Sequence, residues 1–220
     1  RDATLLAAMR ERIANAEQVL IVQALADPVP RLRFIDRCIV AALDQGINPI
    51  VVLTKSDLAS DEEIRQTLDA MNIDIFTTRR DGDVTALEAA LTHKVSVVIG
   101  HSGVGKSTLV NKLVPDADRL TGDVNDVTGR GRHTSTSAVA LELPHGGWII
   151  DTPGVRSFGL EHIDRSRIIS SFGELAELIE RCPKNCSHNE SECALNSVPV
   201  GSSIDLRIKG LRRILAATSD

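Results

Sequence analysis

The segment GHSGVGKS at residues 100–107 constrains this chain more than any other. It fits the pattern G-x-x-x-x-G-K-[ST], with an aliphatic run (VSVVIG) before it and a helical pattern (STLVNKL) after it. A strand, a glycine loop and a helix in that order call for a parallel α/β sheet, in which the loop leaves a strand's C-terminal end. Gly100, Gly103 and Gly105, with Ser102 and Val104 in the same turn, let the backbone curl so that successive N–H groups face inward as an anion nest. The helix that follows aims the positive end of its dipole at the same point. In that geometry Lys106 reaches the β- and γ-phosphates of a nucleoside triphosphate, and the Ser107 hydroxyl holds Mg²⁺, with Thr108 beside it on the first turn. The competing reading is a glycine-rich turn without chemistry. Alone, the loop says only that a nucleoside triphosphate binds.

The flanking sequence supplies the sheet. Residues 18–25, 48–53, 73–76 and 95–100 are short aliphatic runs, and their near-continuous Val/Ile content predicts strands covered on both faces. Between them lie helical stripes: Leu32, Ile35, Ile39 and Leu43 on one, Ile64, Leu68 and Met71 on another, Leu109 and Leu113 on a third. Residues 138–143 and 148–150, joined by PHGG, predict an antiparallel hairpin. The fold expected is a P-loop NTPase, a three-layer, doubly wound α/β sheet with one antiparallel edge. Beyond Gly159 the strand patterns stop and a helix-rich tail begins.

Composition sets the limits. At 220 residues the chain suits one sizeable core with a small satellite. Aromatics make up 2 % of it, with no Tyr, so the core is aliphatic and base-stacking platforms are not expected. A formal charge of -5 argues against a surface that coats nucleic acid broadly, and leaves local basic patches open. No apolar run approaches the ~20 residues that cross a bilayer, so no membrane partner is expected. The chain begins at Arg1 rather than Met and reads as part of something longer.

Two further motifs refine the nucleotide. DTPG (Asp151 to Gly154) follows the strand WII, which brings Asp151 out at a strand's C-terminal end, suited to hold Mg²⁺ through water, with the Gly154 N–H on the γ-phosphate. TKSD (Thr54 to Asp57) ends another strand. A carboxylate there accepts from guanine N1–H and N2–H₂, a donor pair adenine lacks, at about 1.5–3 kcal/mol per charged hydrogen bond. The Lys55 stem lies against the base plane. Ser56 and Asp57 are also good helix caps, so each motif alone is ambiguous, and it is their combination that favours guanine. Common GTPases place the phosphate loop first and the base reader later. Here the order is reversed, as circular permutation of a compact domain with adjoining termini would produce. Residues 84–91 then form the helix ordinarily last, running through THK into the strand ordinarily first.

The permuted order, GHSGVGKSTLVN, GRGRHTST, DTPGVRSFGL and a Cys/Cys/His/Cys tail together resemble one bacterial family, the ribosome small-subunit-dependent GTPases (RsgA, YjeQ, YloQ), over nearly the whole chain. The resemblance implies a cytoplasmic, monomeric factor in late assembly of the small ribosomal subunit, binding the subunit and its rRNA and hydrolysing GTP when docked. It also implies an N-terminal OB-fold domain that this sequence lacks, a GTPase domain over residues 1–163 and a helical zinc-binding domain over residues 164–220. Two positions depart from the family: Thr54 stands where Asn is usual, which weakens loop bracing and the N7 contact, and Thr77-Thr78 stand where the second base loop usually reads Ser-Ala.

Val155 occupies the place of the water-orienting Gln of Ras-like enzymes, so unaided hydrolysis should be slow. In GRGRHTST, Thr134 is the choice for sensing Mg²⁺ and the γ-phosphate, with Thr136 as rival. His133 either positions the attacking water or, with Arg132, contacts RNA. A nucleotide-gated RNA-binding switch with negligible hydrolysis stays open, as does a P-loop kinase or ATPase, against which Asp57 argues. Cys182, Cys186, His188 and Cys193 offer three thiolates and an imidazole, a closed set typical of structural Zn²⁺, and a disulfide is the alternative. Arg207, Lys209, Arg212 and Arg213 form a basic run near the C-terminus, either solvated or set against rRNA phosphates.

Overall fold

The structure of the chain, a computed structural model, describes residues 16–69, 71–115, 117, 139–151 and 163–218. Among the described residues, six strands form one sheet in the order β3-β2-β1-β4-β6-β5. They are β1 (Gln18–Ala24), β2 (Asn48–Thr54), β3 (Asp74–Thr77), β4 (Val95–Ile99), β5 (Val139–Glu142) and β6 (Trp148–Asp151). Five run parallel, and β5 pairs antiparallel with β6 through the hairpin. All seven residues of the central β1 are buried, as expected of a strand covered on both faces.

Side-chain alternation divides the core in two. Val19, Ile21, Val51, Leu53, Val97 and Ile99 meet α1 (Leu32–Asp44) and α2 (Glu62–Asp69) on one face. Leu20, Val22, Ile50, Val52 and Val98 meet α3 (Thr85–Leu91) and α4 (Lys106–Leu113) on the other. The topology turns back between β1 and β4, and phosphate loop, base reader and Asp151 all leave the C-terminal ends of parallel strands. Brackets of this kind are where open α/β sheets bind ligands. The helix α3 passes into β4 through Thr92, His93 and Lys94 alone, the short junction that a permuted order requires.

The tail adds α5 (Arg165–Ser170), α6 (Ala176–Ile179) and α7 (Ser203–Ala217), with 3₁₀ turns at Gly173–Leu175 and Ala194–Ser197. Ser202 caps α7 by accepting from the Asp205 N–H (3.1 Å), while the Asp205 carboxylate accepts from the Gly201 N–H (2.8 Å). Ile208, Leu211, Ile214 and Leu215 then face inward and join the same apolar cluster as α1. The helix α1 is thus packed between sheet and tail, which is why even Asp36 and Asp44 on it are buried. Asp36 accepts from Arg213 Nε on α7 at 2.9 and 3.0 Å. Asp44 accepts from the Asp164 N–H at 3.1 Å, where the tail begins.

Candidate functional site

The phosphate loop closes as the glycine spacing anticipates. A Cβ on Gly100 would stand 2.5 Å from the Val22 carbonyl oxygen, a backbone atom that cannot yield, so only glycine fits there. Gly105 starts α4 with φ of 90°, in the left-handed region. Val104 is fully buried, while Ser102, Gly103, Ser107 and Thr108 lie on the open side of the loop. The His101 ring leans on Phe34 of α1, with centroids 4.2 Å apart.

Lys106 folds over this loop, its Nζ donating to the carbonyls of Gly100 (2.6 Å) and His101 (2.9 Å). Burial lowers its pKa, against the pull of the Asp151 carboxylate. Burial likewise raises the pKa of Asp151, against Lys106. Asp151 Oδ1 is buried without a hydrogen-bond partner among the described residues. An orphaned carboxylate oxygen beside the phosphate loop suits a hydrated hard cation, and the donor chemistry therefore fits Mg²⁺.

The base reader and the phosphate loop border one cavity of about 430 Å³, lined by Thr54, Lys55, Asp57, Thr78, Gly105 and Thr108, among others. Asp57 is exposed on its wall. Thr54 behaves differently from expectation. Its side chain is buried and Oγ1 donates to the Val104 carbonyl at 2.5 Å, so a threonine at this position braces the loop without an amide. Lys55 adopts φ of 57° and its Nζ donates to the Asp27 carbonyl, which sets its stem along the cavity wall. Of the Thr77-Thr78 pair only Thr78 reaches the cavity. Thr77 Oγ1 instead donates to Asp61 Oδ2 (2.7 Å) and accepts from Arg65 Nη2 (2.8 Å). Arg132, His133, Thr134, Thr136, Gly154 and Val155 lie outside the described residues.

Sequence reasoning misses Lys112, whose Nζ donates to the Arg79 carbonyl (2.8 Å), the Gly82 carbonyl (2.5 Å) and, longer, Thr78 Oγ1 (3.4 Å). The signal is present in the helical spacing: Lys112 follows Thr108 by one turn on α4, and both line the cavity.

In the tail, the metal-ligating atoms of Cys182, Cys186, His188 and Cys193 all lie within 4.8 Å of one another. Cys182 Sγ is 3.7 Å from both His188 Nδ1 and Cys193 Sγ, and every cysteine is free. A tetrahedron with metal–sulfur bonds of about 2.3 Å has edges of about 3.8 Å. The set therefore fits Zn²⁺, and no two of the sulfurs are bonded as a disulfide. Burial and the Glu190 carboxylate, 3.1 Å away, push the Cys186 thiol up to about 12. The basic run beyond it is engaged within the chain. Arg207 pairs with Glu174 over the Phe172 ring, Lys209 with Asp205 (2.9 Å), and Arg213 with Asp36, while Arg212 donates to the His188 carbonyl (2.7 Å).

Known proteins resemble this chain in sequence and in fold. A sequence profile described as RsgA GTPase matches residues 2–161. The Klebsiella pneumoniae protein named small ribosomal subunit biogenesis GTPase RsgA is 39 % identical over 215 residues, covering 92 % of this chain and 61 % of that protein. The chain therefore spans about three fifths of the length of that relative. Among solved structures, YjeQ from Thermotoga maritima superposes with a TM-score of 0.62 at 25 % identity, over 91 % of this chain and 72 % of that one. YloQ, described as a circularly permuted GTPase, superposes with a TM-score of 0.60 at 23 % identity, over 91 % and 68 %, a likeness of fold.

Proposed function

Because the chain belongs to the RsgA GTPase family, we propose that it binds GTP with Mg²⁺ and hydrolyses it in the late maturation of the small ribosomal subunit, as a cytoplasmic monomer that docks on the subunit and its rRNA. The observation that carries this reading is the shared cavity, which is lined both by Asp57 of the base reader and by the phosphate-loop residues Gly105 and Thr108. A guanine nucleotide placed there offers N1–H and N2–H₂ to Asp57 while its phosphates reach the loop.

The roles follow from the chemistry of each group. The loop from Gly100 to Gly105 cradles the phosphates with backbone N–H groups, and Lys106 exchanges its two carbonyl acceptors for phosphate oxygens. Thr54 and Val104 keep that loop against the base reader. Ser107, Asp151 and Thr134 would hold Mg²⁺, which supplies charge neutralisation at the β- and γ-phosphates. Gly154 senses the γ-phosphate through its N–H, and His133 positions water, a task for which Val155 has no polar group. The GTPase domain takes residues 1–163, and a helical module at residues 164–220 holds one structural zinc through Cys182, Cys186, His188 and Cys193.

Permutation gives the segment after Asp151 a mechanical role. Residues 152–163 lead from the γ-phosphate side of the site to Asp164, which is tied to Asp44 on α1. Nucleotide state thereby reaches the tail.

The decisive experiment pairs a binding switch with turnover. Asp57→Asn replaces a two-fold acceptor with an amide that matches the O2 of xanthine, so GDP affinity should fall at least 100-fold while XDP affinity rises. GTP turnover should rise when purified small subunits are added, and His133→Ala should abolish that rise while leaving GDP binding intact. Equal affinity for GDP and ADP would refute the guanine reading. Turnover at background with subunits present would leave a nucleotide-gated RNA-binding switch instead.

A further inference from the structure

A lysine on α4 donates into the loop beyond Thr78, at the edge of the base cavity. Lys112 belongs to the last turn of α4, the helix that starts at the phosphate loop. Its three ammonium protons meet three acceptors 30 to 34 residues away in sequence: the Gly82 carbonyl at 2.5 Å, the Arg79 carbonyl at 2.8 Å and Thr78 Oγ1 at 3.4 Å. A lysine whose only task was to offset the helix dipole would need none of these contacts. The loop itself is a closed turn, with the Gly82 N–H donating to the Arg79 carbonyl at 3.0 Å. With the carbonyls of this turn drawn toward α4, the backbone N–H groups of Arg79 and Arg80 donate to no acceptor among the described residues, and both residues line the cavity.

We infer that Lys112 is a positioning residue for guanine, fixing the turn at residues 78–82 so that its backbone N–H groups meet the O6 edge of the base. The inference rests on the guanine reading of Asp57. Asp57 recognises the N1 and N2 side of the base, and the turn held by Lys112 recognises the opposite acceptor. Phosphate loop and base loop are thereby coupled through one helix: α4 carries Lys106 and Ser107 at its start and Lys112 at its end.

The test compares how much one substitution weakens each of two probes on the whole chain: GDP, and 2-aminopurine riboside 5′-diphosphate, which keeps the N2 amine but lacks O6 and the N1 proton and so binds more weakly to every variant. Lys112→Met should weaken GDP about tenfold and the 2-aminopurine nucleotide less than twofold, with the melting temperature of the nucleotide-free protein unchanged. Lys112→Arg, whose planar fork suits three convergent acceptors poorly, should show the same selective loss at smaller size, and it serves as the second variant if the methionine variant does not fold. An equal loss for both probes, or no loss for either, would overturn the inference. The wild-type chain separates this from the underlying reading: preference for GDP over ADP must hold there first, and its absence would remove both.

Discussion

The hydroxyl of Thr54, at the end of β2, donates to the carbonyl of Val104 in the phosphate loop at 2.5 Å. One hydrogen bond therefore joins the segment that reads the base to the segment that cradles the phosphates. Both groups are buried, so removing the donor leaves a carbonyl unsatisfied, at a cost of about 1–3 kcal/mol. Thr54→Val should accordingly lower GDP affinity about tenfold, read by titration calorimetry. Thr54→Ser, which keeps the donor, should restore most of it. Equal binding by all three proteins would show that the bond does not organise the site.

Much of this architecture is legible in residue pattern. The runs of Val and Ile mark β1, β2 and β4 because those strands are covered on both faces, and the glycines mark the phosphate loop because backbone atoms crowd Gly100. What pattern cannot show is long-range pairing. The stripe Leu32, Ile35, Ile39 and Leu43 predicts one buried face of α1, yet Asp36 and Asp44 are buried as well, because their partners Arg213 and Asp164 arrive from positions 177 and 120 residues away. The same holds for the basic run on α7, which reads as a free cationic face until its acceptors in other elements are known. The separate fates of Thr77 and Thr78 likewise depend on strand alternation at the end of β3, which turns one side chain to Arg65 and the other to the cavity.

That separation is itself testable. The Thr77 hydroxyl, followed by Arg65, holds the Asp61 carboxyl below its ordinary pKa. A carboxylate depressed in the folded state contributes stability above its unfolded pKa of about 3.9, and loses it as pH falls through the lower folded value. Thr77→Val should therefore cost about 1 kcal/mol at pH 7 by urea denaturation, and the gap to the wild type should close below about pH 4. GDP affinity should be unchanged, since this side chain does not reach the base. A pH-independent gap, or a lost affinity, would contradict the assignment.

The attachment of the tail has the opposite pH signature. Burial raises the pKa of Asp36 and outweighs the lowering effect of Arg213. A raised carboxyl favours folding below its unfolded pKa and loses that contribution as pH rises through the folded value. Arg213→Met removes the compensating cation and leaves a buried carboxylate unpaired, so Asp36 should shift further upward. The expected loss is about 2 kcal/mol at pH 7–8, shrinking on acidification as Asp36 takes up its proton. Asp36→Asn in the Arg213→Met background should recover part of it. A loss that grows on acidification would show that the pair is not what holds α7 to α1.

The cysteine cluster makes the last prediction, and the sole tryptophan makes it readable. Trp148 lies on β6, in the sheet, whereas Cys182, Cys186, His188 and Cys193 belong to the tail. Cys193 and Leu195 belong to the same apolar cluster as Phe172, Leu211 and Ile214, so the metal ligands and the packing of the tail are one structure. Structural zinc contributes on the order of 10 kcal/mol in small modules. Native mass spectrometry should find one zinc per chain. Its removal by a chelator, or Cys193→Ser, should open residues 180–200 to protease while the Trp148 emission spectrum stays as in the intact protein. A tail equally protected with and without metal would mean that packing against α1 suffices, and that the four ligands are not its scaffold.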